Sequence, residues 1–372
     1  LGMTTSPEVP TAAPTARPLR VLHFVSGGFS GATQVAIDLC GEQPGQQTLL
    51  VLRRRASVDP AARVAQLRAL GLQVEVVPKW SHSVTIVKLA RICRDWQPDV
   101  LVAHGFSEHL WGRYAGLLAG VPRLIHVEHN TRELYSWWRL KQSLWLAQRT
   151  ERIIGVSQAV RAALVRLGHP AERCTAVLNG IDLTRWHFGR PWDEREDAIA
   201  MPARFAGQKD HLTLIRAIGL LAEQGLRPVV YLAGEGKASW RRRAEALARR
   251  LGVTDQIRFL GHVAELPELL GRVKLCVLST HYEGLGLGLI EGMASGCCGI
   301  GTDVEGVQEI ITHGETGFLV PHLDAAALAE TLRQRLQDSA GTARVAAAGQ
   351  RHVEATFDRD RMRQEYLALF RR

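Results

Sequence analysis

The sequence predicts an α/β protein with two doubly wound domains and a cleft between them. Short apolar runs typical of strands alternate with longer helix-like runs, a pattern that favours parallel sheets with helices on both faces. The alternation extends from residue 19 to residue 156 and starts again near residue 199. The length of 372 residues is enough for two ordinary domains.

Each half of the chain has its own set of predicted strands. They are residues 19–25, 48–52, 74–77, 100–103, 124–127 and 153–156 in the first half, and 199–201, 229–233, 257–260, 275–278 and 298–301 in the second. A stretch of mixed charge with one proline, residues 182–197, is the best linker. We therefore expect a disordered tail (1–18), a first domain (19–185), a second domain (186–355) and a terminal helical segment (356–372).

Composition excludes several classes of protein. With 46% hydrophobic and 22% charged residues, the chain resembles a soluble globular protein, and no apolar run approaches the roughly 20 residues needed to span a bilayer. The first 18 residues lack the apolar core of a signal peptide. The six cysteines show no CxxC spacing, so we expect buried thiols in a reducing cytoplasm and no zinc site.

The net charge of +9 suggests an anionic partner. No nucleic-acid-binding motif is visible, which favours a phosphorylated substrate or anionic lipid. One basic stretch, residues 240–250, can equally be a solvated surface. The other, residues 131–150, predicts either a helix lying in a membrane interface or an ordinary core helix with exposed cations. The residues that suggest membrane contact are Trp137, Trp138, Arg139, Lys141 and Trp145.

The most informative segment is residues 281–296, where Glu283 and Glu291 flank a glycine-rich turn. An apolar strand precedes the turn and a helix can follow it, which is the arrangement of a phosphate site at a helix N-terminus. Carboxylates do not bind phosphate, but they accept hydrogen bonds from hydroxyl groups. The segment therefore predicts a ligand that combines phosphates with hydroxyl-rich rings, a nucleotide sugar.

The two glutamates and the residues that follow them resemble the donor site of retaining glycosyltransferases of family four. The later residues of this pattern are Gly306, Glu309, Gly314, Thr316 and Gly317. The resemblance covers about residues 20–355 and implies the GT-B fold, an acceptor-binding first domain, a nucleotide-sugar-binding second domain and a last helix that crosses back to the first. It places Glu283 beside the transferred sugar and Glu291 at the ribose, and leaves Glu309 as a sugar or structural contact.

The same resemblance assigns the remaining site residues. Arg204 and Lys209, five apart on one loop, are expected to stabilise the departing diphosphate, and His129 to contact the sugar from a strand end. The predicted catalytic residues are His129, Arg204, Lys209 and Glu283. The predicted donor-binding residues are Gly28, Gly234, Gly284, Leu285, Gly286, Leu287 and Glu291. The predicted acceptor-binding residues are Gly27, Ser30 and His104.

The predicted function is retaining transfer of a hexose from a nucleoside diphosphate sugar to a glycan or lipid-linked acceptor in bacterial surface polysaccharide or lipopolysaccharide synthesis. The family's habits favour a UDP-sugar. Neither cleft loop carries Asp-x-Asp, so we expect catalysis without a metal or cofactor. The protein is expected to be cytoplasmic, with peripheral contact to the inner face of the cell membrane as an open alternative. A nucleotide-sugar epimerase of the same fold and a non-catalytic nucleotide-sugar-binding protein also remain open.

Overall fold

The structure is a computed structural model that describes residues 17–27, 31–41, 43–54, 60–105, 108–132, 135–186 and 189–372. Within these residues the chain forms two parallel sheets, one of seven strands and one of six, flanked by helices. The predicted α/β class with two doubly wound domains is confirmed. Most of the predicted tail lies outside the described residues, as do Gly28 and Ser30 of the predicted site.

The first sheet has the strand order β3-β2-β1-β4-β5-β6-β7. Its strands are β1 (Leu19–Ser26), β2 (Gln46–Arg54), β3 (Val74–Pro78), β4 (Val100–His104), β5 (Arg123–Glu128), β6 (Arg152–Gly155) and β7 (Cys174–Ala176). The helices of this half are α1 (Gly31–Leu39), α2 (Pro60–Ala69), α3 (His82–Trp96), α4 (Glu108–Ala119), α5 (Trp137–Ala147), α6 (Gln158–Arg166) and α7 (Leu183–Trp186). The order reverses between β1 and β4, and ligands bind at the carboxyl ends of strands at such a point.

The second sheet repeats this plan with the order β10-β9-β8-β11-β12-β13. Its strands are β8 (Glu196–Pro202), β9 (Val230–Ala233), β10 (Ile257–Gly261), β11 (Val273–Leu278), β12 (Cys298–Thr302) and β13 (Phe318–Val320). The helices are α8 (His211–Glu223), α9 (Ala238–Arg250), α10 (Leu266–Arg272), α11 (Leu287–Ala294), α12 (Glu305–Gln308), α13 (Ala325–Gln337), α14 (Ser339–Thr356) and α15 (Arg359–Phe370). Here the order reverses between β8 and β11.

The central strands of both sheets are buried on both faces. All five residues of β4 are buried, as are all five of β12, because helices cover both faces of a parallel sheet. The last helix, α15, packs against the first domain, where Met362, Tyr366 and Phe370 join a core cluster with Val21 and Val35. The short strands β7 and β13, of three residues each, were not predicted because they are too short to show a pattern.

All six cysteines are free thiols and buried, as expected. Among the described residues, no helix combines the length and the apolar character needed to cross a bilayer.

Candidate active site

A cavity of about 250 Å³ lies between the two domains and brings together all four predicted catalytic residues. The first domain contributes His129, which follows β5. The second contributes Arg204 and Lys209, from the loop after β8, and Glu283, from the loop after β11. All of these loops leave the carboxyl ends of strands, so the site occupies the position that the doubly wound topology favours.

The glycine-rich turn forms one wall of this cavity. Leu285, Gly286 and Leu287 line it, and Leu287 is the first residue of α11, so the helix N-terminus borders the cavity. Gly286 has a φ of 82°, and a Cβ there would lie 2.7 Å from Leu278. A Cβ on Gly284 would lie 2.0 Å from the carbonyl oxygen of His129. Gly286 is therefore required because the turn needs a positive φ, and Gly284 is required because a side chain there would collide with the first domain.

Lys209 and Glu283 form an ion pair inside the cavity. Their side chains are only 13% and 11% exposed, whereas Arg204 is exposed. The Nε2 of Gln208 also donates to the backbone carbonyl of Tyr282 at 2.9 Å and fixes the loop that carries Glu283. The cation predicted for the diphosphate and the carboxylate predicted for the sugar are thus partners in this structure, a pairing that the sequence did not indicate.

His129 stands at the cleft end of a row of three histidines. Nε2 of His129 lies 3.1 Å from Nδ1 of His104, and Nε2 of His104 lies 3.1 Å from Nδ1 of His23. Burial lowers the pKa of His129 and of His23 to about 3, and lowers that of His104 well below its ordinary value. His104, predicted to bind acceptor, is fully buried behind His129, with both ring nitrogens in these contacts.

A second cavity, of about 360 Å³, adjoins the first and contains Glu291. Arg185, Gly234 and His262 also line it. Burial raises the pKa of the Glu291 carboxyl to about 7, partly opposed by the positive charge of Arg185. A Cβ on Gly234 would lie 2.3 Å from the carbonyl oxygen of Ala203, so this position requires glycine. The two cavities share Gly31, Pro202, Leu287 and Gly288, and so form one continuous cleft.

The loop at Gly27 supports the first-domain side of the cleft. The amide of Gly27 donates to the carbonyl of Arg53 at 3.1 Å. A Cβ at Gly27 would lie 2.1 Å from Cγ of Arg54, so the glycine makes room for that side chain. Gly31 and Ala32, at the start of α1, line the cavity directly.

Four hydrogen bonds tie the donor loops and Glu309 to the first domain. Ser157 Oγ donates to the carbonyl of Gly284 at 2.6 Å, and Thr131 Oγ1 donates to that of Glu283 at 3.2 Å. The Glu309 carboxylate accepts from the amides of Gln158 and Ala159, at 3.0 and 2.6 Å, at the N-terminus of α6. Of the two roles that the sequence left open for Glu309, the structure shows this one, a contact between domains.

Comparison with known proteins agrees with this architecture. Residues 29–185 match the family described as Glycosyltransferase Family 4, and residues 182–352 match the family described as Glycosyl transferases group 1. The two matched regions meet where the first sheet ends and the second begins. The chain belongs to the group 1 glycosyltransferases.

Two curated relatives of this glycosyltransferase illustrate the range of the family. A glycogen synthase of Mycobacterium tuberculosis is 29% identical over 279 residues, which are 71% of this chain and 66% of the relative. The lipopolysaccharide core biosynthesis glycosyltransferase LpsE of Rhizobium meliloti is 26% identical over 367 residues, 94% of this chain and 98% of the relative. The chain thus spans slightly less than two thirds of the first relative and nearly all of the second.

The solved structures share the fold. Anabaena Alr3699/HepE in complex with UDP-glucose superposes with a TM-score of 0.84 at 22% identity, covering 94% of this chain and 99% of that one. The glycosyltransferase therefore has the GT-B fold, as predicted.

A buried polar network, which the sequence did not predict, lies behind His129 in the first domain. The fully buried Arg113 donates to Nδ1 of His109 at 2.7 Å. Because arginine can only donate, His109 must carry its proton on Nε2, which lies 2.6 Å from the Tyr135 hydroxyl. Tyr135 donates to Oε2 of Glu128 at 3.4 Å, and Oε1 of Glu128 accepts the amide of His129 at 2.8 Å.

Two members of this network, His109 and Glu128, and the neighbouring His126 could approach one metal ion. Ligand atoms of His109, His126 and Glu128 all lie within 4.8 Å of one another. A metal, however, binds a histidine nitrogen through its lone pair. In the structure the lone pair of His109 Nδ1 accepts from Arg113 and the proton is on Nε2, so this ring has no lone pair left for a metal. The hydrogen bonds therefore favour a structural network that holds the backbone of His129.

Helix α5 presents its tryptophans to solvent. The exposed fractions of Trp137, Trp138 and Trp145 are 67%, 63% and 48%. The Nζ of Lys141 lies 3.9 Å from the ring centroid of Trp137, and the guanidinium of Arg149 lies 3.7 Å from that of Trp145. The buried residues of the helix are Ser143, Leu146 and Ala147. One narrow face thus packs on the domain, while the outer face is aromatic and basic.

Proposed function

We propose that this glycosyltransferase is a retaining hexosyltransferase that uses a nucleoside diphosphate sugar, with uridine as the base. The observation that carries the proposal is the continuous cleft formed by the two adjoining cavities. The first cavity holds Arg204, Lys209, Glu283 and His129, and the second holds Glu291. A single donor can extend through both, with the sugar and diphosphate in the first and the nucleoside in the second.

The charges in the cleft suit departure of a diphosphate. When the bond between the sugar C1 and the diphosphate breaks, negative charge develops on the leaving group and positive charge on the sugar ring. Fixed cations stabilise such a leaving group most effectively in a site where water is excluded. Arg204 and Lys209 supply two positive charges, and the N-terminus of α11 adds a partial one. We infer that these groups replace a divalent cation.

Donor binding would redistribute the partners of Lys209. In the structure its ammonium group is paired with Glu283. A bound diphosphate competes for that ammonium group and leaves the Glu283 carboxylate available to a sugar hydroxyl. The ion pair thus gives each of these largely buried groups a partner of opposite charge.

The nature of the donor and acceptor is supported by the relatives. Alr3699/HepE, which shares the fold, was solved with UDP-glucose, and LpsE is named for lipopolysaccharide core biosynthesis. We propose by analogy a UDP-hexose donor and a glycan or lipid-linked acceptor in bacterial surface polysaccharide synthesis.

The outer face of α5 supports peripheral attachment to an anionic membrane. Tryptophan side chains favour the interface between headgroups and acyl chains, and basic side chains favour anionic headgroups. A core helix would have its tryptophans buried, whereas here Trp137 and Trp138 are well exposed. A lipid-linked acceptor would be delivered at the same membrane surface.

A panel of UDP-, GDP- and ADP-sugars tests the function. We expect a UDP-hexose to raise the melting temperature most and to be hydrolysed slowly without acceptor. Mass spectrometry distinguishes the free hexose expected here from the epimerised nucleotide sugar expected of an epimerase. When an acceptor is glycosylated, proton NMR of the product should show the donor's anomeric configuration, because a glycoside does not mutarotate. The inverted anomer would contradict retention, and binding without any turnover would indicate a non-catalytic binder.

A further inference from the structure

We propose that His104 and His23 are positioning residues that hold the imidazole of His129 in a single tautomer, with its Nδ1–H directed into the cleft. This inference rests on the proposed function, because it concerns the group that would meet the transferred sugar. Under this proposal His104, predicted from the sequence to bind acceptor, instead orients His129. His23, which the sequence did not single out, orients His104.

The three rings come from neighbouring strands. His23 lies within β1, His104 is the last residue of β4, and His129 directly follows β5. These strands are adjacent in the sheet, in the order β1-β4-β5. Both contacts join an Nδ1 to an Nε2 at 3.1 Å, and both pairs of ring centroids are 5.4 Å apart. The rings therefore repeat the same orientation along the row.

Each ring in the row is neutral, since burial lowers the pKa of all three. A neutral imidazole has one N–H donor and one lone-pair acceptor. A row of neutral rings joined head to tail can run in only two directions. Either every Nδ1 carries the proton and donates toward the cleft, or every Nε2 carries it and donates toward the interior.

The inner end of the row decides between these directions. Nε2 of His23 is buried and has no hydrogen-bond partner among the described residues. Its ring lies next to Phe370 of α15, with ring centroids 6.0 Å apart. In the inward direction this nitrogen would be an orphaned N–H, and such buried donors are rare in folded proteins. In the outward direction only a lone pair is left unpaired, so the outward direction is favoured.

At the outer end of the row, the outward direction fixes the tautomer of His129. His129 lines the cavity, and its Nδ1 has no hydrogen-bond partner in the part of the chain that the structure describes. With Nε2 accepting from His104, Nδ1 must carry the proton and can donate to an oxygen of the sugar. A neutral donor fixed in this way orients the hexose without placing a positive charge beside the developing charge on its ring.

The tautomer can be read without substrate. In protein labelled with [¹⁵N]histidine, two-bond ¹H–¹⁵N spectra between pH 6 and 8 distinguish the two neutral tautomers, and the single variants His129→Asn and His104→Asn assign the signals. We expect both His129 and His104 in the Nδ1–H form. An Nε2–H form or a mixture at His129 in the wild type overturns the proposal, whatever the variants do.

A pair of substitutions at His104 tests the positioning role. An asparagine amide can take the place of Nδ1 and keep the donor to His129, whereas a glutamine amide takes the place of Nε2 and loses it. We expect His104→Asn to keep the tautomer and turnover of His129 near those of the wild type. His104→Gln should give a mixture of tautomers and lower kcat on the order of tenfold, with the dissociation constant for UDP unchanged.

The control is His322→Asn, which removes a surface contact between His281 and His322 at 2.8 Å and should change neither readout. Wild-type turnover or an unmixed His129 tautomer in His104→Gln would overturn the proposal. If no nucleotide sugar is turned over by the wild type, the proposed function fails, and the spectra alone then decide whether the row of histidines acts as described.

Discussion

The two sides of the cleft are built in different ways. The second domain supplies the four charged residues of its site from two short continuous segments, one from Arg204 to Lys209 and one from Glu283 to Glu291. The first domain supplies His129, whose ring and backbone are held by residues from several strands and helices. A site made from a loop and a helix start is visible in sequence, whereas the residues that hold His129 through strand register are not.

The largest effect is expected at the two cations of the second domain. Arg204→Ala and Lys209→Ala should each lower turnover by roughly 10²–10³, since each removes a charge that stabilises the developing diphosphate. Only Lys209→Ala should also lower the melting temperature, because it leaves the largely buried Glu283 without its ionic partner. The matched control is Arg227→Ala, which removes an exposed pair with Asp255 before β9. Near-normal turnover in either cleft variant would contradict the diphosphate assignment.

The next largest effect is expected at α5 in the first domain. Replacing Arg139 and Lys141 by Glu should weaken binding to anionic vesicles by at least roughly thirtyfold, because each cation near such a surface contributes about 1 kcal/mol. Wild-type binding should also weaken as salt rises. The control variant, in which Arg249 and Arg250 of α9 are replaced by Glu, has the same net charge as the α5 variant. A wild type that ignores vesicles at low salt would show that the exposed tryptophans serve another purpose.

The two carboxylates of the second domain should separate in a titration with UDP. Glu291→Gln should weaken UDP binding about tenfold, as expected when ribose hydroxyls lose a charged acceptor. Glu283→Gln should lower transfer while UDP affinity is kept or increased, since it frees Lys209 from its partner. Isothermal titration calorimetry measures the first effect and a transfer assay the second. Equal loss of UDP affinity in both variants would refute the division of roles.

A smaller effect is expected from pH. Burial raises the pKa of Glu291 to about 7, so the carboxyl is mostly protonated at pH 6 and mostly ionised at pH 8. Ribose hydroxyls donate to the ionised form, so UDP affinity should rise between pH 6 and 8, by at most about tenfold over the whole range because the ionised fraction rises about tenfold. The diphosphate titrates equally in both proteins, so the difference between wild type and Glu291→Gln reports this group. Parallel pH profiles would exclude its participation.

No effect is expected from a chelator. If Arg204 and Lys209 neutralise the diphosphate, activity should remain largely unchanged when EDTA is added in excess. Loss of activity with chelator, followed by rescue with manganese, would mean that the two cations hold the diphosphate only together with a divalent ion.

The alternation of strands and helices determined the fold class, because each parallel strand buried on both faces must be followed by a crossover helix. The spacing of Glu283 and Glu291 around a glycine turn likewise determined the donor loop, since the turn needs glycine at Gly286 whatever surrounds it. These features follow from local backbone geometry. Local geometry is written in consecutive residues, so the sequence alone is sufficient to predict them.

The tertiary structure decided what consecutive residues cannot encode. The pairing of Lys209 with Glu283, the bridge from Glu309 to α6 and the row that runs from His23 to His129 each join distant parts of the chain. Each depends on strand order and on how closely the two domains approach. A buried histidine or glutamate has the same identity in the sequence whether it binds substrate, bridges domains or orients a neighbour. Only its partners in the folded protein distinguish these roles.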